Sequence, residues 1–294
     1  MQETFEQKVR RAFVAIQGIK LPDMPEEIIA LDKEISARYP NTTAMVEIIS
    51  SNTMLAAELL KIANSPAMRP RQPIKSINQA VSLLGTKNLK NMLIAAALKQ
   101  IFGTPPSVRD IMDHSADVAF CAAELANNVY GIEADEAYAC AVFHNCGAIL
   151  LTIKNQQAYQ QLFFESHTLP LTTIEKEESV YQTSHPTAGL LLAKKWQLDD
   201  AMVHAIYLHH TPQCDLITNE RVRLLVALLK VANGIVAEIS LGAYIGKEMQ
   251  SYMDDGISTL QLTQEHLRLA RMPYRVIAKL ASESSVLHFF QPLV

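Results

Sequence analysis

Glycine-rich loops and nucleophile motifs are missing from this sequence. Its 294 residues include 10 glycines, and no Gly-x-Gly-x-x-Gly, Walker loop or Gly-x-Ser-x-Gly motif occurs. Loops that cradle phosphate with backbone amides need closely spaced glycines, and many serine hydrolases carry their nucleophile in a Gly-x-Ser-x-Gly turn. The sequence therefore argues against the common nucleotide-binding loops and gives no support to serine nucleophile chemistry.

Long apolar runs and paired cysteines are also absent. No stretch of about eighteen apolar residues occurs, which predicts no membrane span. The N-terminus mixes both charge signs and has no apolar segment typical of a secretory signal. The four cysteines form no Cys-x-x-Cys pair, so we expect free thiols in a reducing compartment. These features predict a soluble cytoplasmic protein.

Acidic residues are absent from the segment 59–109, although the whole chain has a formal net charge of −4. The segment holds eight of the 26 lysines and arginines and none of the 30 acids. The candidate anion or partner surface on it consists of Lys61, Arg69, Arg71, Lys87 and Lys90. We favour the alternative of a solvated face of ordinary helices, because no aromatic interleaving or nucleic-acid motif accompanies the charges.

The residues that are plentiful favour helices. Ala, Leu, Lys, Glu and Gln are common, and all are good helix formers. No segment alternates apolar with polar residues as a half-buried strand would. Helix caps are indicated by Asn41, Asn52 and two capping boxes, Ser76–Gln79 and Thr172–Glu175. We predict an all-α protein with helices over 24–38, 42–49, 52–63, 76–85, 86–102, 109–129, 134–153, 155–165, 172–182, 186–196, 200–210 and 218–242, followed by shorter ones.

A break in the predicted helices falls at the run Gly103-Thr104-Pro105-Pro106. Gly and Pro in succession mark loops. We therefore predict an N-terminal helical bundle over residues 1–104, packed on a second helical bundle over residues 105–294 that has histidines at its centre.

Histidines recur on the inward sides of separate predicted helices. A single buried histidine is usually a hydrogen-bonded core residue, but several on different helices indicate a common pocket. The candidate pocket residues are His114, His144, Asn145, His185, His209, His210 and Asn233. Their order resembles the HD superfamily of metal-dependent phosphohydrolases, in which His…His-Asp…His…His-His…Asp surrounds one or two metal ions. The His-Pro-x-x-Gly piece beginning at His185 resembles the HD-GYP branch of that superfamily.

Stretches in the N-terminal half narrow the resemblance from the HD superfamily to one related family. The stretches LPDMPEEIIALDKEI, SSNTMLAAELLKIANS and PIKSINQAVSLLGTKNLKNMLIAAAL, and later EESVYQTSHPTAGLLLAKKWQL, resemble the HDOD family, the HD-related output domain. The resemblance runs from about Ile19 to about His210. It implies an HD-like helical bundle.

Two residues depart from the HD pattern. Asn145 stands where the resemblance implies the Asp of the His-Asp dyad, and Asn233 where it implies the closing Asp. An amide brings no formal charge to hold a hard divalent ion, whereas imidazoles alone can bind Zn, Ni or Cu. We therefore expect no catalysis and no cofactor. The alternative is a divalent metal held by His114, His144, His185, His209 and His210.

Cysteines also lie at helical spacing from two of these histidines. Cys121 follows His114 by seven residues and Cys140 precedes His144 by four. Because cysteine is among the most often buried residues, we expect both to pack in the core.

The resemblance implies a function in signal transduction, because HDOD proteins are associated with bacterial signalling, often beside receiver or cyclic-dinucleotide domains. No such extra domain is expected in this chain. We therefore expect a non-catalytic regulator that acts through a signalling protein or a small anionic ligand such as a nucleotide. One alternative is a metal-dependent phosphohydrolase acting on a phosphodiester or nucleotide, and a second is a nucleic-acid-binding regulator that uses the basic segment 59–109. The sequence leaves the oligomeric state open.

Overall fold

The computed structural model describes residues 3–68, 70–102, 106–241 and 245–271, and all regular structure within these ranges is helical. The all-α prediction is therefore confirmed. The first helices are α1 (Phe5–Ala15), α2 (Glu26–Ile35), α3 (Thr42–Ser50), α4 (Thr53–Ala63) and α5 (Ile77–Phe102). They are followed by α6 (Pro106–Ala126), α7 (Ala134–Phe143), α8 (Cys146–Lys154), α9 (Gln156–Ser166), α10 (Pro170–Tyr181), α11 (His185–Lys195), α12 (Asp200–Leu208), α13 (Glu220–Ser240) and α14 (Lys247–Leu260).

Several helix starts follow from local capping. The side chain of Asn41 accepts hydrogen bonds from the first turn of α3, and that of Asn52 does the same for α4. These contacts satisfy backbone N–H groups that have no partner within the helix. The hydroxyl of Ser76 accepts from the backbone N–H of Gln79 at 3.2 Å, as predicted. Gly85, at φ 72°, interrupts α5, which is where the sequence predicts one helix to end and the next to begin.

One predicted helix is wrong in its extent. The single helix expected over 134–153 is two helices, α7 and α8, joined by a turn at His144–Asn145. Asn145 has φ −100° and ψ 12°, outside helical geometry. The turn lets α8 start in close contact with α11. It thereby places both His144 and Asn145 at a helix junction instead of along one helix face.

One predicted cap is also wrong. Helix α10 begins at Pro170, so Thr172 lies inside its first turn and does not cap it. Instead the Thr172 hydroxyl donates to Glu248 Oε2 at 2.6 Å, and the Leu171 and Thr172 N–H groups donate to Glu248 Oε1. The carboxylate that satisfies the start of α10 therefore comes from α14, which is 77 residues away along the chain from Leu171.

The hydrophobic core extends through both predicted halves. One cluster of buried side chains includes residues from Ile16 to Ala270. Helix α5 packs against α2, α3 and α4 of the predicted N-terminal half and against α7 of the second half. The expected boundary at 103–106 falls mainly on 103–105, outside the described residues. The division into two parts stays a prediction.

One stretch of the described chain, Ala134–Lys154, is long and apolar enough to cross a membrane by length and composition. This stretch comprises the core helices α7 and α8. In the fold, 94% of an apolar 18-residue part of it is buried. All four cysteines are buried free thiols. Burial raises the pKa of Cys146 and Cys214 to about 12, as expected of thiols that pack in the core.

Candidate functional site

All seven pocket residues predicted from the sequence meet at one place. His114 comes from α6, His144 and Asn145 from the α7–α8 turn, and His185 from the first position of α11. His209 and His210 follow the end of α12, and Asn233 lies in α13. Neighbouring rings lie close together: the ring centroids are 6.1 Å apart for His114–His144, 5.2 Å for His144–His209 and 4.2 Å for His209–His210.

Two glycines bring the histidine-bearing helices together. A Cβ on Gly147 would lie 1.9 Å from the His185 carbonyl oxygen and 2.5 Å from the Gly189 nitrogen. Helices α8 and α11 are thus in backbone contact at this point. Glycine is required at position 147 because no side chain fits there. The contact fixes His185 beside the His144–Asn145 turn.

Three imidazole nitrogens converge at one end of the cluster. The Nε2 atom of His185 lies 3.2 Å from Nε2 of His209 and 3.2 Å from Nε2 of His210. The ligand atoms of the three side chains all lie within 4.8 Å of one another. We call these three residues the histidine triad.

Hydrogen bonds behind the rings fix their tautomers. His185 Nδ1 faces both oxygens of Glu177 at 2.9 Å, and His209 Nδ1 faces the Ile206 carbonyl at 2.6 Å. His144 Nδ1 faces the Ala141 carbonyl at 2.5 Å. Carboxylates and carbonyls only accept hydrogen bonds, so each Nδ1 carries the proton, and Nε2 of each neutral ring holds a lone pair.

The contact between His185 and His209 therefore brings two lone pairs face to face at 3.2 Å. Two acceptors at this distance repel each other unless a proton or a cation lies between them. Metal-ligating histidines characteristically donate their second ring N–H to a carboxylate or a backbone carbonyl. The triad meets that condition at His185 and His209, and its donor atoms fit a cation that prefers imidazole nitrogen.

At the other end of the cluster His114 contacts Asn233 and His167. His114 Nε2 lies 3.0 Å from Asn233 Oδ1, and His114 Nδ1 lies 3.2 Å from His167 Nε2. His167 in turn contacts the Phe163 carbonyl through Nδ1 at 2.9 Å. His114 Nε2–H donates to Asn233 Oδ1, because the Asn233 amide nitrogen donates to the Leu229 carbonyl. The Nδ1 atom of His114 and the Nε2 atom of His167 are therefore both without protons while the two rings are neutral. His114 is at the candidate metal pocket, but it has no nitrogen directed at the triad.

Burial keeps four of the imidazoles neutral near pH 7. It lowers the pKa of His144 to about 4 and holds the pKa values of His114, His209 and His210 well below the usual 6.5. Unfavourable interactions with the neighbouring rings act in the same direction. A neutral imidazole is the form that ligates metal. These four rings therefore have lone pairs available without first losing protons.

A small cavity adjoins the cluster. The volume of this cavity is about 20 Å³. This is enough for one ordered water or an ion and far less than a drug-sized ligand needs. Residues that line it include His114, His144, Asn145, His167, His210, Asn233 and Tyr252. None of its lining residues is acidic.

A buried ion pair, Lys230–Asp255, contacts the chain just after His209 and His210. Lys230 is 0% exposed, and its Nζ lies 2.6 Å from Asp255 Oδ2 and 3.3 Å from the Pro212 carbonyl. Tyr252 donates its hydroxyl to the His209 carbonyl at 2.7 Å. Helices α13 and α14 thus hold the backbone on both sides of His210.

Of the five residues of the predicted basic surface, the structure describes the side chains of three. Lys90 pairs with Asp32 at 2.6 Å, so its charge is matched within the chain. Lys61 and Arg71 are exposed. Arg69 and the side chain of Lys87 lie outside the described residues. That these residues bind an anion or a partner stays a prediction.

Two residues of the site were not found from the sequence. Glu177 lies in α10 and His167 just after α9. Glu177 is the first residue of the stretch EESVYQTSHPTAGLLLAKKWQL that resembles the HDOD family, but the order of histidines and asparagines gave it no place in the pocket. The one weak signal is spacing: Glu177 precedes His185 by eight residues, but the chain between them leaves α10 and enters α11, so no helical periodicity connects them.

Comparison with known proteins agrees with this architecture. The sequence matches the HDOD domain family model over residues 21–212. A solved HDOD domain protein of unknown function from Geobacter sulfurreducens has a TM-score of 0.62 at 20% identity, covering 97% of this chain and 96% of that one. A structure from Shewanella amazonensis SB2B, provisionally named a metal-dependent phosphohydrolase, has a TM-score of 0.65 at 18% identity over 92% of this chain and 98% of that one. A Marinobacter aquaeolei VT8 structure, provisionally named a signal transduction protein, has a TM-score of 0.64 at 18% identity over 92% of this chain and 62% of that one.

These identities establish the fold alone. Among curated proteins, an uncharacterised protein of Treponema pallidum (strain Nichols) is 23% identical over 202 residues, which are 65% of this chain and 37% of that protein. A shorter match is to YuxH of Bacillus subtilis (strain 168), which is 34% identical over 68 residues. These are 23% of this chain and 17% of that protein. The chain thus spans well under half the length of these relatives.

Proposed function

The chain belongs to the HDOD domain family, and from this premise we propose that it is a non-catalytic regulatory module whose histidine triad binds one divalent transition-metal ion. In this proposal the ion stabilises one arrangement of the helices that carry the triad. Signalling then takes place through a protein partner or a small anion that recognises that arrangement. The HD-type pocket is retained as a binding site and no longer hydrolyses.

One observation carries the proposal: the lone pairs of His185 and His209 face each other at 3.2 Å, with Nε2 of His210 3.2 Å from that of His185. The two facing lone pairs of His185 and His209 converge only at a cost unless an electrophile is shared between them, and His210 Nε2 lies close enough to His185 Nε2 to share it as well. Burial lowers the pKa values of His209 and His210, so neither of these two rings readily carries a second proton, and we propose a metal ion as the shared electrophile.

The donor atoms indicate the kind of ion. Imidazole nitrogen suits Zn, Cu, Fe and Ni, whereas Mg and Ca prefer carboxylate, carbonyl and water oxygens. With the amides of Asn145 and Asn233 in place of acids, the site supplies no direct carboxylate ligand from the HD positions. We therefore expect zinc or nickel to bind and magnesium not to bind.

The same residues argue against hydrolysis. Metal-assisted hydrolysis needs a polarised water and a group that accepts its proton. The acid that touches the triad is Glu177, and both its oxygens are already engaged by Tyr159 and by His185. The adjoining cavity, about 20 Å³, also has no room for a phosphodiester in this arrangement.

Elemental analysis of untagged protein tests the proposal. We expect about one zinc or nickel per chain, no turnover of a generic phosphodiester in Mn, Fe, Co, Ni or Mg, and loss of the ion in His185→Ala. His204→Ala is the matched control, because His204 is an exposed histidine on the neighbouring helix α12. Absence of metal from the wild type after incubation with zinc would refute the proposal.

The anionic ligand is tested separately. Calorimetric titration of the metal-loaded protein with nucleotides and cyclic dinucleotides should give heat with at least one of them if the regulator acts through a small anion. If none of them gives heat, a protein partner is the remaining route of signalling.

A metal-dependent phosphohydrolase is the second candidate function. It is favoured by the convergence of the imidazoles and by the provisional name of the Shewanella structure. Turnover that depends on added metal and is abolished by His185→Ala would replace our choice with this one.

A further inference from the structure

We propose that Glu177 is the anionic group of the metal site, and that it acts through His185 as a positioning residue without touching the ion. This inference rests on the proposed function. It concerns a residue outside the HD pattern, and it explains how a pocket that has lost two carboxylates can still hold a divalent cation.

The first step is the burial of Glu177. Its carboxylate is 0% exposed and accepts from three donors: the Tyr159 hydroxyl at 2.6 Å, the His185 backbone N–H at 2.8 Å, and His185 Nδ1–H at 2.9 Å. These bonds orient the carboxylate toward the ring of His185. The ring is held in turn, with Nε2 directed at the triad.

The second step is charge. An ionised carboxylate is costly to bury unless it is paired with a cation. The donors that contact Glu177 are a phenol, a backbone amide and an imidazole. Of these only the imidazole can become cationic, by taking a second proton at Nε2, which is the atom that a metal ion would bind in place of that proton. A divalent ion on the far side of the same ring would supply the missing positive charge. The buried acid and the triad thus complete each other.

The third step is the effect on the ligand. A carboxylate on Nδ1–H raises the basicity of Nε2 and fixes the ring, and losing such a partner costs about 10–100-fold in metal affinity. His209 has only a backbone carbonyl behind its ring. His185 is therefore the strongest ligand of the triad because of Glu177.

Cobalt titration of the whole chain, followed by its visible absorption and by calorimetry, tests the inference. We expect Glu177→Gln to weaken cobalt binding by about 10–100-fold and to change the absorption spectrum. Glu175→Gln, an exposed acid on the same helix, should bind as the wild type does.

A second variant distinguishes the effect of the Glu177 charge on metal binding from any support that Glu177 gives to the fold. Tyr159→Phe removes one donor to Glu177 and leaves the negative charge, so its cobalt affinity should stay within about threefold of wild type. That change is well below the loss of about 10–100-fold expected from a lost carboxylate. Equal losses in Tyr159→Phe and Glu177→Gln would mean that the carboxylate only supports the fold, and the inference would be overturned.

The wild-type protein gives an independent measurement if Glu177→Gln does not fold. The His185 Nδ1 proton should be visible by NMR, protected from exchange, and retained after the metal is added. Its loss on metal addition would overturn the inference. Tight cobalt binding by a folded Glu177→Gln would overturn this inference alone, whereas no binding by the wild type would overturn the proposed function as well.

Discussion

At the scale of single residues, the site depends on which ring nitrogen carries a proton. His144, His185 and His209 each direct Nδ1 at an acceptor that cannot donate. Their Nε2 atoms are consequently free of protons while the rings are neutral. The resulting lone pairs are the chemical basis of the pocket, and acid should destroy them.

Acid should also destabilise the fold. The pKa of His144 is lowered to about 4 in the folded protein from the usual 6.5, so the unfolded chain binds its proton first. Stability from this group is complete above about pH 6.5 and is lost as pH falls toward 4, by about 1.4 kcal/mol per pH unit. Urea unfolding in the presence of a chelator should show this slope. His144→Gln should reduce it by about one proton, and an unchanged slope would contradict the assignment.

The buried lysine gives a second prediction at this scale. Lys230 is 0% exposed, whereas the side chain of Asp255 is 23% exposed. Asp255→Ala strands a buried charge and should cost about 3–5 kcal/mol of unfolding free energy. Lys230→Met leaves an acid that still reaches water and still accepts from the Cys214 N–H, so it should cost about 1–2 kcal/mol. Denaturant unfolding measures both, and the reverse order would refute this view of the pair.

Residue identities were only partly predictable. The sequence led to all seven residues of the pocket because their order follows a known pattern. Glu177 and His167 could not be found this way, because they are not part of that order of histidines and asparagines, and their place in the site depends on how α9 and α10 pack. The acid that the sequence argument lacked is Glu177, which contacts the proposed metal ligand His185.

At the scale of helices, the site exists because α8 and α11 touch backbone to backbone. Gly147 permits this contact. The contact sets the distance between His185 and the His144–Asn145 turn. A substitution that separates the two helices should therefore disturb both stability and metal binding.

Gly147→Ala tests the helix contact. Its Cβ would lie 1.9 Å from the His185 carbonyl oxygen, so we expect a loss of at least about 3 kcal/mol in unfolding free energy. Gly18→Ala is the control: position 18 has open space but a φ of 92°, so only backbone strain of about 1–2 kcal/mol applies. Similar losses in the two variants, measured by urea unfolding, would mean that the helices adjust to the added methyl group.

Helix positions were more predictable than helix contacts. Asn41 and Asn52 cap the helices that they were expected to cap, since those caps depend on residues close in the chain. The Thr172–Glu175 capping box is wrong because Glu248 of α14 takes over that role. The helix over 134–153 is split because α11 approaches its middle. Both errors come from tertiary contacts that local patterns do not contain.

At the scale of the molecule, the charge asymmetry of the sequence is partly neutralised by folding. Lys90 of the acid-free segment pairs with Asp32, and Lys99 pairs with Glu58. Nucleic-acid binding through unmatched cations would fall steeply with salt. We expect no such salt-dependent binding to duplex DNA in a mobility-shift assay between low and physiological salt. A steep dependence that weakens in Lys61→Ala and Arg71→Ala would support the nucleic-acid alternative.

The central claim is that the triad, and not the whole HD-type pocket, holds a single ion. Anomalous diffraction at the zinc edge from crystals grown with zinc tests it most directly. We predict one strong peak among His185, His209 and His210, where three ring nitrogens converge. We predict none at His114, because its Nε2 faces Asn233 and its Nδ1 faces a single other imidazole, that of His167. Two peaks, a peak bound by His114, or no peak in the pocket would contradict this account.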